Sequence, residues 1–116
     1  MRGLIFFVKL PTFDDVDACS VEQGRRPVVV VSSHRGNATS NIVMVCPITT
    51  KCKNLSCNVD IRWSVDGRQS QVLCNQIMTI PRAYLKWKRG SITMEEQKRV
   101  DDAICMSLDI SEVNTK

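Results

Sequence analysis

The sequence predicts an α+β fold that is mainly β: a small antiparallel barrel with one C-terminal helix packed against it. Three observations carry this expectation. Cys57, Val59, Ile61 and Trp63 alternate strictly with Asn58, Asp60 and Arg62, the period of a strand with one buried face. Short runs of β-branched and aromatic residues recur, bounded by proline or by turn residues. From residue 93 onward the apolar spacing lengthens from two to three and four.

The elements follow in order. Residues 4–10 (Leu-Ile-Phe-Phe-Val-Lys-Leu) form a strand that Pro11 ends. Residues 11–24 are polar and acidic and read as one long loop, a length that in compact domains is uncommon and often functional. Pro27 introduces Val28-Val29-Val30-Val31, a run with no polar face and therefore a core strand. Ser32 to Asn37 reads as a turn or loop, because Ser, Gly and Asn favour local turns over ladders. Ile42 to Val45 is a strand closed by Pro47, and residues 57–63 form the alternating strand. Val65-Asp66-Gly67 supplies a tight turn. Residues 71–80 read as one or two further strands ended by Pro81. Thr93 and Glu96 fit a capping box, and Val100, Ala103, Ile104 and Leu108 share one face, so a helix is expected at about 93–109.

Length and composition suit a single domain over residues 1–116 and exclude collagenous, low-complexity or largely disordered chains. Charge is unevenly spread. Residues 23–93 hold eleven Lys and Arg against only Asp60 and Asp66, while both flanks are mildly acidic. A basic body suits a polyanionic partner, with chance clustering on a solvated surface as the alternative. No apolar run approaches the ~20 residues that span a bilayer, and Lys9 cuts the first one short, so a cytoplasmic protein without a membrane partner is expected. The six cysteines include no Cys-x-x-Cys pair, and His34 is the only histidine. They read as structural thiols, with Cys52 and Cys57 the more exposed, and neither a metal nor a cofactor is expected. Trp63 alternates with core residues, whereas Trp87, between Lys86 and Lys88, is the better candidate to stack on a base.

Four stretches, in order, resemble the MazF/PemK family of toxin endoribonucleases: Arg2-Gly3-Leu4-Ile5; Glu22-Gln23-Gly24-Arg25-Arg26-Pro27 with the valine run; Val45-Cys46-Pro47-Ile48-Thr49-Thr50-Lys51; and Val72-Leu73-Cys74-Asn75-Gln76-Ile77-Met78-Thr79-Ile80. The resemblance covers nearly the whole chain. It implies an SH3-like barrel, a homodimer, metal-independent cleavage of single-stranded RNA, and neutralisation by a cognate, MazE-like antitoxin. Carried over residue by residue, it makes Arg26 and Thr49 the catalytic pair and Glu22 a candidate base. It makes Gln23, Arg25, Thr50, Lys51, Lys53, Asn75 and Gln76 candidate RNA contacts.

The chemistry fits that pair. Attack of a ribose 2′-hydroxyl on the adjacent phosphate builds negative charge on phosphate oxygens. A guanidinium meets them with a planar fork of donors, and a threonine hydroxyl donates or accepts beside it. Arginine is a poor general base, which is why a carboxylate is sought.

The chain also departs from the family pattern. Glu22 precedes Arg26 by four residues where five is usual, so either a loop residue is missing or Val21 holds the glutamate position. Asn75 replaces an aspartate, Leu73 replaces the arginine of the PemK branch, and that branch's loop histidine is absent. These departures leave open a catalytically weak RNA-binding relative. A CcdB-like, gyrase-directed toxin is the other alternative, but the Trp-Gly-Ile ending of that group is absent here.

Overall fold

Residues 1–9 and 25–110 are described by the computed structural model. Among the described residues, seven strands and two α-helices follow one another: β1 (Leu4–Val8), β2 (Arg26–Val30), α1 (His34–Thr39), β3 (Ile42–Thr49), β4 (Asn58–Ile61), β5 (Ser70–Leu73), β6 (Met78–Pro81), β7 (Trp87–Ser91) and α2 (Met94–Ser107). The strands form one antiparallel sheet in the order β4-β5-β3-β2-β1-β7, with β6 also paired to β3. β3 is long enough to serve three partners. Its N-terminal half pairs with β6, its C-terminal end with β5, and its other edge with β2.

The valine run explains the architecture. Val29 and Val31 point into one core with Ile5, Cys46, Ile48, Val72 and Val100, while Val28 and Val30 point into a second with Phe6, Val8, Val43, Val45 and Ile80. Successive residues of a strand face opposite ways, so a strand buried on both faces must be apolar throughout. The first core lies between the sheet and α2, which contributes Val100 and Ala103. Cys46 and Cys74 are buried in it as free thiols. Desolvation, with each thiol's neighbouring acidic groups adding to it, pushes both pKa values up to about 12, so neither is a thiolate nucleophile near neutral pH.

Several details differ from or sharpen the sequence reading. Residues 32–37 do not form only a turn: Ser33 caps α1, its Oγ accepting from the Gly36 N–H at 3.0 Å, and the helix continues to Thr39. His-Arg-Gly-Asn-Ala-Thr has no apolar period, so nothing in the pattern announces it. β7 also goes unannounced, because Trp-Lys-Arg-Gly-Ser alternates nothing apolar; it exists through pairing with β1, with an irregularity between Ile5 and Phe6. Residues 71–80 divide into β5 and β6, and the first strand ends at Val8. Trp63, expected in the core, is only half-buried. It packs against the first core, edge-on to Phe7, and its indole N–H donates to the Arg89 carbonyl at 3.1 Å. Gly90 makes that approach possible, since a Cβ there would meet the indole ring at 2.8 Å.

The Arg2-Gly3 opening is architectural. Arg2 donates to the Val31 carbonyl and forms an ion pair with Asp101 of α2. Gly3, at φ 85°, bridges Val30 and Ile92 through its backbone. The N-terminus thereby ties β2 to the closing helix.

Candidate RNA-cleavage site

β2 and β3 pair as Val28↔Pro47, Val29↔Cys46 and Val30↔Val45. Two residues further along the same register, Arg26 falls opposite Thr49. Both project on the face shared by Val28 and Val45, because strand side chains repeat every second residue. Both are buried, Arg26 at 9% and Thr49 at 3% exposure. A buried arginine is rare, since its charge loses hydration and must be compensated by hydrogen-bond acceptors or opposite charge nearby. Arg26 also pairs with Val8 across β1, which fixes its backbone between two strands.

Thr49 ends β3, and its hydroxyl accepts from the Lys51 N–H at 3.0 Å. That bond uses a lone pair and leaves the hydroxyl proton able to reach a phosphate oxygen. It also starts the segment carrying Thr50, half-buried, and Lys51 and Lys53, both exposed.

Gln71, directly across from Thr49 in β5, organises that segment. It is 6% exposed and uses its whole amide. Its NH2 donates to Asp60 Oδ1 at 2.8 Å and to the Lys53 carbonyl at 3.1 Å, and its oxygen accepts from the Lys53 N–H and from Asn58 Nδ2, both at 3.0 Å. Sequence reasoning passed over this residue. The available signal was the pair of polar positions Asn58 and Asp60 on one face of an otherwise apolar strand, which need a polar partner opposite. Gln71→Ala should free the Lys51–Lys53 segment: steady-state cleavage assays should show KM raised several-fold with kcat changed less, because the resemblance implies RNA contacts in this segment and a reacting pair outside it. Equal losses in both constants would place Gln71 in the chemical step instead.

The other candidate residues scatter. Arg25 projects on the opposite face from Arg26, and its guanidinium lies 3.9 Å from the centre of the Trp87 ring. Asn75 and Gln76 are exposed in the turn between β5 and β6. The β3 registers put that turn beside Cys46, three residues back from Thr49. Glu22 and Gln23 lie outside the described residues, as do Val21 and the acids Asp14, Asp15 and Asp17. Among the described residues, no three His, Cys, Asp or Glu side chains group closely enough to hold a metal ion. No helix there is long and apolar enough to cross a membrane.

Residues 1–108 match the family described as PemK-like, MazF-like toxin of type II toxin–antitoxin system. Over 101 residues, 83% of each chain, the sequence is 30% identical to the endoribonuclease MazF of Staphylococcus saprophyticus. Two solved structures share the fold. The Mycobacterium tuberculosis toxin MazF-mt6 superposes with a TM-score of 0.71 at 23% identity, covering 93% of this chain and 98% of that one. A mycobacterial endoribonuclease in complex with its cognate antitoxin superposes with a TM-score of 0.77 at 19% identity, covering 96% of both chains.

Proposed function

The chain belongs to the PemK-like, MazF-like toxins of type II toxin–antitoxin systems, and from that membership we propose that it cleaves single-stranded RNA without a metal, with Arg26 and Thr49 at the scissile phosphate. The observation that carries the site is the β2–β3 register, which supports Arg26 and Thr49 facing one phosphate from adjacent strands. The 2′-hydroxyl loses its proton and attacks the neighbouring phosphorus. The bond to the 5′-oxygen breaks, and that oxygen takes up a proton as it leaves. Products are a 2′,3′-cyclic phosphate and a 5′-hydroxyl. Arg26 supplies paired donors to the phosphate oxygens as charge accumulates, and the Thr49 hydroxyl adds a third. Glu22 is the base for the 2′-hydroxyl in this reading.

Around the pair, Lys51 and Lys53 hold flanking phosphates, with Gln23, Arg25, Thr50, Asn75 and Gln76 as further contacts. Phosphate contacts of this kind fix register without reading sequence. The chain acts as one domain, in the cytoplasm, as a homodimer whose activity a cognate antitoxin restrains. The antitoxin complex of the mycobacterial relative supports the last point.

Incubation of the purified protein with single-stranded RNA in EDTA tests the reading. Scission leaving cyclic phosphate ends is expected. RNA binding that weakens with salt but never yields cleavage would overturn it in favour of a binding protein.

A further inference from the structure

The part of the surface that the proposed chemistry leaves unused is a cavity of about 300 Å³ at the end of β1 and the start of β7, lined by Lys9, Ala83, Tyr84, Lys86 and Trp87. We propose that it is a subsite for one unpaired nucleotide flanking the cleaved bond, with the base stacked on Trp87 and the phosphates met by Lys9 and Lys86. This rests on the RNA-cleaving reading and assigns part of its specificity.

Position comes first. Val8 pairs with Arg26 and Phe7 pairs with Trp87, so Trp87 lies at the same end of the sheet as Arg26 but, like Arg25, on the other face. An RNA strand whose phosphate sits on Arg26 reaches the cavity by turning over that end of the sheet.

Chemistry comes second. The lining combines two aromatic rings with two exposed lysines. Aromatic platforms beside cations are how proteins hold single-stranded bases, since every base offers a π-face and every nucleotide a charge. The volume falls at the small end of small-ligand sites, suited to a base rather than to a folded element.

Preorganisation comes third. Trp87 lines the cavity and also stacks with the Arg25 guanidinium, 3.9 Å from its ring centre. Arg25 Nε is buried and has no hydrogen-bond partner among the described residues. The stack holds the indole in one orientation before RNA arrives, which lowers the ordering cost of binding.

The test uses a 2′-O-methyl RNA oligonucleotide spanning a mapped cleavage site, which binds without being cut. Trp87→Ala should weaken its binding by about tenfold or more, and Trp87→Phe should recover most of the loss. Abasic substitutions along the oligonucleotide should reveal one position whose loss weakens binding to the wild type but no longer matters to Trp87→Ala. A merely structural tryptophan would leave every abasic effect unchanged, and that result overturns the proposal. So does unaltered RNA affinity in Trp87→Ala together with weakened antitoxin affinity, which would assign the cavity to an antitoxin side chain. Failure of the wild type to bind the oligonucleotide at all overturns the RNA-cleaving reading itself.

Discussion

Arg26→Ala should lower single-turnover RNA cleavage by about 10³-fold, the scale seen when a preorganised charge donor to a transition state is removed. Arg26 is the cation that the β2–β3 register sets opposite the Thr49 hydroxyl, and it is buried where charge interactions are weakly screened. Arg26→Lys keeps the charge but loses the planar fork, so it should recover only part of the rate. Thr49→Ala should cost less, about tenfold to a hundredfold, because one neutral donor is worth less than a charged pair of them. Circular dichroism and affinity for an uncleavable 2′-O-methyl RNA control for folding, since truncating a buried side chain also leaves a void. Cleavage by folded Arg26→Ala within tenfold of the wild type would remove Arg26 from the reaction.

The same residues show what the sequence makes legible. Arg26 and Thr49 are singled out by the resemblance to the MazF/PemK family, through the Arg-Pro junction before the valine run and the Thr that follows Pro47-Ile48, and not by composition. The structure puts each at the end of a largely buried strand. The capping box of α2 is a four-residue signal, and its two hydrogen bonds form as spaced, Thr93 Oγ1 accepting from Glu96 N and Glu96 Oε1 from Thr93 N. Gln71, β7 and α1 were not legible for one shared reason. Gln71 matters through partners 11 and 18 residues away, and β7 through pairing with the opposite end of the chain. α1 mixes the good helix formers Arg35 and Ala38 with Gly36, Asn37 and Thr39, so its summed preference is weak. Tertiary pairing decides such elements, and no local period reports it. Arg25 illustrates the limit within a motif: beside Arg26 in sequence, it projects on the other face and meets Trp87, so adjacency in the chain did not mean a shared role.

Glu96→Ala should produce the largest loss of stability among surface-to-core polar changes, about 3 kcal/mol, seen as a Tm lowered by about 10 °C or more. Glu96 is 2% exposed although it lies in the first turn of a helix, where glutamates are ordinarily solvated. One oxygen accepts from Thr93 N at 2.8 Å, closing the capping box, and the other accepts from Arg62 N at 2.7 Å, just past the end of β4. A single carboxylate therefore finishes a helix and a strand together and locks α2 over the first core. Alanine leaves two backbone donors unpaired in partly buried positions, each costing more than the bond it loses. Glu96→Gln keeps one acceptor but turns an NH2 toward the second donor, so an intermediate loss is expected. Thr93→Ala removes only the cap, for about 1 kcal/mol. The order Glu96→Ala, Glu96→Gln, Thr93→Ala separates the strand tie from the cap, and equal losses for the first and last would show that the bond to Arg62 contributes nothing. Well below their Tm all three variants should cleave RNA at rates close to the wild type, since Glu96 faces the helix–sheet core while Arg26 and Thr49 project from the other face of the sheet.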